Sequence, residues 1–138
     1  MRKQSREVVF KMLFSYNFGQ KDEPQTYDEM LDVILQDLGL DKQQLDLEYI
    51  NTTFNAVVKN LDALKDIVYS NVTGYTSSRI FNADLIILVL AIYELKQKSI
   101  DNKIVISEAL KLAKKYSTEK SIKFINGVLS AVVKEKNE

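Results

Sequence analysis

Apolar residues recur at spacings of three and four along most of the chain, the period of a helix that buries one face. The first such stretch runs from about Lys3 to Phe18, with Val9, Met12, Leu13 and Tyr16 on one face and Phe10 and Phe14 widening it. Gly19 follows as a candidate left-handed cap. After Pro24, Thr26-Tyr27-Asp28-Glu29 has the capping-box pattern and opens a second helix, which Met30, Val33, Ile34 and Asp37-Leu38 carry to Gly39. Leu47 to Val58 and Leu61 to about Val72 predict two more, burying Tyr49, Ile50, Phe54 and Val57, then Leu61, Leu64, Ile67 and Val68. Gly74 marks a break. From Asn82 to Lys98 the pattern changes, because the run LIILVLAIY leaves no polar face, so this helix should be buried all round. It is too short for a bilayer, which takes roughly 20 apolar residues. An amphipathic helix from about Lys103 to Tyr116 (Ile106, Ala109, Leu110 and Ala113 inward) and a last one from Thr118 complete the chain. No strand-like alternation interrupts them. The expectation is an all-α helical bundle of about seven helices.

Composition narrows the chemistry. At 138 residues the chain suits one domain, and 46% hydrophobic with 28% charged residues is the balance of a soluble globular protein. It has no cysteine and no histidine. That removes disulfides, the usual zinc ligands, the usual proton shuttle and every Ser-His or Cys-His nucleophile. The sequence therefore reads as a binding protein and not an enzyme, with no metal, no cofactor and a cytoplasmic home. Lys11 interrupts the apolar stretch near the amino terminus, so no signal peptide is expected.

Net charge is zero, yet the charges are segregated. Residues 1–20 balance to +3, residues 21–95 to −8 and residues 96–138 to +5. Basic ends suit a polyanion, and an acidic middle suits a cationic partner.

The segment IYELKQKSI and then VISEALKLAKKYSTEKSIKFINGVL, closing on Phe124, Ile125, Asn126, Gly127, Val128 and Leu129, resembles the NusB family of bacterial transcription antitermination factors. Arg6-Glu7 with Leu13-Phe14, and Arg79 with Asp84 ahead of Ala91-Ile92-Tyr93-Glu94-Leu95, agree in order and spacing. The resemblance implies one NusB-like domain over residues 1–138, made of two packed helical subdomains at approximately 1–60 and 61–138. It further implies binding of single-stranded boxA RNA together with the ribosomal protein NusE, within the RNA polymerase antitermination complex on ribosomal RNA operons, as a monomer or weak homodimer without a membrane. The alternatives are a NusB-like RNA-guiding domain of a ribosomal-RNA cytosine methyltransferase, or a helical protein-binding scaffold without RNA. This chain departs from the family pattern where arginines are frequent, at Leu85 and Val89. Asp101 replaces a familiar proline, Ser107 an asparagine, and Lys120 a commonly acidic residue.

Single-stranded RNA is held by cations that meet phosphates and by planar side chains on which bases stack. Arg2, Lys3 and Arg6 are the candidate cations of the first helix, and Arg6 is the one expected to make a defined contact, since guanidinium can fork onto a phosphate or lie on a base. Phe14 stands where the family often has tyrosine and offers a ring without a hydroxyl. In the last helix Ser117 or Thr118 should cap a first turn that presents its positive end to an anion, Lys120 and Lys123 extend that field, and Phe124 offers a ring at the rim. Gly127 reads as a site of close helix packing. Arg79 and Asp84, in the acidic middle, are the candidates for meeting the basic protein partner.

Overall fold

The structure, a computed structural model, describes residues 2–19, 25–72 and 80–136. Among them are seven α-helices and one short 3-10 turn, with no strand. The helices are α1 (Arg2–Phe18), α2 (Tyr27–Leu38), α3 (Leu47–Lys59), α4 (Leu61–Ser70), α5 (Asn82–Gln97), α6 (Asn102–Tyr116) and α7 (Glu119–Lys136), and the turn is Lys42–Gln44. Each boundary lies within two residues of the sequence reading. The Gly74 break falls outside the described residues.

The chain divides into two compact units, Met1–Lys59 and Asn60–Glu138. In the first, α1 packs on α2 and α3. Its apolar core includes Val8, Val9, Phe10, Met12 and Leu13 of α1, Met30, Leu31, Ile34 and Leu35 of α2, and Ile50, Phe54 and Val57 of α3. On α2 the apolar residues divide: Val33 is 54% exposed, while Leu31 and Leu35 are buried. The ends of α2 follow the sequence. Thr26 Oγ1 accepts from the Glu29 N–H at 3.1 Å and Glu29 Oε1 accepts from the Thr26 N–H at 3.3 Å, which closes the capping box. Gly39 sits at φ 68°, and the Leu40 N–H reaches the Leu35 carbonyl at 3.0 Å, so an orphan carbonyl is satisfied. Gly19 behaves differently from the left-handed cap expected. Its φ is not positive; its N–H bonds to the Ser15 carbonyl at 2.8 Å, and a Cβ there would collide with that oxygen. Close approach, not backbone handedness, requires glycine at this point.

In the second unit α5 lies against α4, α6 and α7, and α6 against α7. The run from Asp84 to Ile92 is buried without a break, as a helix apolar all round must be. Lys98, at φ 58°, ends it. No helix among the described residues is long and apolar enough to cross a membrane.

Candidate nucleic-acid interface

The four candidates of α1 belong to the first unit and meet different surroundings. Lys3 is exposed. Arg2 is exposed but engaged: its guanidinium lies 3.3 Å from Asp46 Oδ2 and 4.1 Å from the centre of the Tyr49 ring. Asp46 organises this corner. Its carboxylate caps α3 by accepting from the Tyr49 N–H at 3.0 Å, and its own N–H donates to Ser5 Oγ at 2.8 Å. The Tyr49 N–H above all holds the Asp46 carboxyl below the usual carboxylate range; burial opposes it, and the hydrogen bond and charge of Arg2 add smaller lowering effects. Arg6 corrects the expectation of an exposed, phosphate-ready guanidinium, since it is only 5% exposed, with its guanidinium 6.0 Å from the Tyr49 ring. The signal was available in the sequence, because Arg6 precedes Val9 and Phe10 by three and four positions and so shares their buried face. Phe14 is half-buried in a ladder of rings, 6.3 Å from Phe10 and 5.0 Å from Phe18 between centroids. Sequence reasoning missed Asp46 and placed Tyr49 in the core, although it is half-buried beside two arginines.

The other four candidates lie at the start of α7 in the second unit. Thr118 caps the helix, its Oγ1 accepting from the Ser121 N–H at 3.2 Å. Lys120 and Lys123 are exposed and Phe124 is half-buried. Beneath them is a network that the sequence did not announce. Asp84 is 3% exposed, and it accepts from Ser117 Oγ at 2.5 Å on one oxygen and from Ser121 Oγ at 2.7 Å on the other. The two serine oxygens are 2.8 Å apart, and Thr118 Oγ1 lies 3.0 Å from Ser121 Oγ. Each serine proton goes to the carboxylate, the stronger acceptor, which leaves the threonine to donate to Ser121. Asp84 occupies the first turn of α5 and Ser121 the first turn of α7, so the carboxylate sits by the positive ends of two helices. The surface role expected of Asp84 is corrected accordingly: it is an internal anchor that cannot itself meet a partner. Arg79 lies outside the described residues.

Ile106 and Leu110, expected in the core, are half-buried and line a groove of about 570 Å³ between α6 and α7, with Lys103, Lys114, Ile122 and Asn126 beside them. No group of three acidic side chains able to hold a metal ion is present among the described residues.

These helices in this order match the model of the NusB family over residues 3–134. The chain belongs to the NusB family. A transcription antitermination protein NusB of Clostridium botulinum (strain Alaska E43 / Type E3) is 36% identical over 135 residues, covering 97% of this chain and 98% of the relative. The solved T. maritima NusB has 34% identity and a TM-score of 0.80, covering 98% of this chain and 92% of that one. A crystal structure of antitermination factors NusB and NusE in complex with dsRNA contains a chain with 25% identity and a TM-score of 0.79, covering 97% of this chain and 96% of that one. The NusB fold thus extends over nearly the whole chain.

Proposed function

We propose that this chain is a transcription antitermination factor that binds single-stranded boxA-like RNA together with the ribosomal protein NusE, in the cytoplasm, and supports processive transcription of ribosomal RNA operons as part of the RNA polymerase antitermination complex. Its curated relatives carry the antitermination name, and a structural neighbour was solved with NusE and RNA. The observation in this molecule that carries the reading is the start of α7, where two exposed lysines stand beside a half-buried phenylalanine on a firmly anchored turn. Cations beside a ring at a rim are what unpaired nucleotides require. The role is one of binding without catalysis, by a single NusB-like domain that acts as a monomer or weak homodimer. Arg2, Lys3 and Phe14 form a second contribution from α1, with Arg6 and Tyr49 behind them. Arg79 is the residue proposed to meet the protein partner.

The experiment is an RNA titration with and without NusE, using single-stranded boxA-like RNA, a scrambled single strand and a duplex. The expected result is preference for the boxA-like strand and tighter binding when NusE is present. Equal binding of all three RNAs would reduce the role to nonspecific charge attraction, and no binding would leave the helical scaffold reading in its place.

A further inference from the structure

Gly127 stands inside α7, an 18-residue helix from Glu119 to Lys136. Glycine is the poorest helix former apart from proline, because it surrenders the most backbone freedom. Close packing against a neighbouring helix usually compensates, and the sequence reading gave Gly127 that role. The structure removes it. Gly127 is exposed, and a Cβ built on it meets no atom within 4 Å. Its φ is not positive either, so the backbone has no need of glycine.

The residue keeps particular company. Lys120, Lys123, Phe124 and Gly127 follow one another at i, i+3, i+4 and i+7, which places them on one face of α7. The opposite face carries Ser121, Ile125, Val128, Leu129 and Val132, all buried. Around the helix axis Gly127 falls between Lys120 and Lys123, both exposed. A bare stretch of backbone therefore continues the strip of the two lysines toward the carboxyl end of the helix, with a ring to one side.

We infer that Gly127 is an RNA contact point, where the sugar-phosphate backbone lies against α7 too closely for any side chain, with phosphates toward Lys120 and Lys123 and a base edge toward Phe124. This rests on the reading of the start of α7 as an RNA surface. Glycine serves elsewhere to let a ligand approach the main chain closely, and the flanking lysines select a polyanion over a basic protein.

Gly127→Ala separates the alternatives because its two effects have opposite signs. Thermal unfolding should shift upward by about 3 °C, since alanine is the better helix former. Affinity for a labelled single-stranded boxA-like RNA should fall about fivefold to tenfold, as overpacking by one methyl at a tight contact does. Affinity for NusE in the absence of RNA should not change. A higher melting temperature with unchanged RNA affinity overturns the inference, and so does a loss of NusE affinity without RNA, which would make this a protein contact. A paired Lys120→Ala, Lys123→Ala variant distinguishes the two levels. If it loses RNA affinity and Gly127→Ala does not, the surface stands and the contact at Gly127 is wrong; if neither loses affinity, α7 is not an RNA surface and both fail.

Discussion

The Ser121 hydroxyl donates to the Asp84 carboxylate at 2.7 Å, joining the first turn of α7 to the first turn of α5 across 37 positions of sequence. With Ser117 on the other oxygen at 2.5 Å, the donors to the carboxylate among the described residues are hydroxyls from the α6–α7 turn and α7 itself. A buried anion without its donors would be costly, and so would the buried Ser121 hydroxyl without its acceptor. The turn that presents Lys120 is thus fixed from within.

Asp84→Ala is expected to destabilise the protein by about 2–4 kcal/mol, the range for breaking a buried charged hydrogen-bond network. Asp84→Asn should cost less, because its amide keeps one acceptor and gains a donor that the serine oxygens can accept from. Asp84→Lys should cost most, since an ammonium would replace an acceptor at two positive helix ends. Urea unfolding of the three variants checks the order. Equal midpoints for Asp84→Ala and the native chain would mean that the network adds nothing.

The helices were largely legible because each depends on local pattern. Thr26 and Glu29 are three residues apart, and Gly39 follows the last apolar position of α2, so both ends of that helix could be placed. The bonds of Asp84 could not, because nothing near residue 84 points to Ser117 or Ser121. An aspartate in a helix's first turn looks the same whether it faces water or two distant hydroxyls. Arg6 differs for another reason: a guanidinium suggests the surface, whereas its spacing to Val9 and Phe10 puts it on the buried face. Gly127 was read by its average role in helices, and only the structure shows the space beside it to be empty.

Acid should weaken the first unit through Asp37. Lys11 donates to its carboxylate at 2.6 Å, and this hydrogen bond and the charge of Lys11 hold Asp37 below the usual carboxylate range. A depressed folded pKa means that the unfolded chain binds the proton more readily, so stability is present above the unfolded value of about 3.9 and is lost as pH falls through the folded one. The expected result is that Asp37→Asn melts slightly below the native chain at neutral pH and that the gap closes below about pH 4. Since Asp37 is at the surface, salt should narrow the gap as well. A gap that is constant with pH would show that the carboxylate's charge is not its source.

Asp46 restrains Arg2 while capping α3, and one substitution separates the two tasks. Asp46→Asn keeps an oxygen for the Tyr49 N–H but loses the anion that sits 3.3 Å from the Arg2 guanidinium. Asparagine caps about as well as aspartate, so stability should hold to within about 1 kcal/mol. If α1 faces RNA, the released cation and the removed repulsion should raise RNA affinity about two- to threefold at low salt, an advantage that screening erases. Unchanged affinity at low salt would take Arg2 off the RNA path.

Lys120 tests the α7 surface directly, because its charge acts in opposite directions on folding and on RNA binding. It occupies the first turn of α7, where the helix end is already positive, so Lys120→Asp should stabilise the helix by about 0.3–1 kcal/mol. Near phosphates the same change replaces attraction by repulsion and returns condensed counterions to the RNA, so affinity should fall about tenfold at low salt and the log-log salt slope should become shallower by about one. A disrupted fold would lower melting temperature and affinity together, and Asp84 beneath the turn would be the reason. Lower RNA affinity with an equal or higher melting temperature is the outcome that places Lys120 against RNA. If affinity and slope stay the same, Lys120 belongs to the solvated face and Lys123, Lys3 and Arg2 are left to carry the charge of the surface.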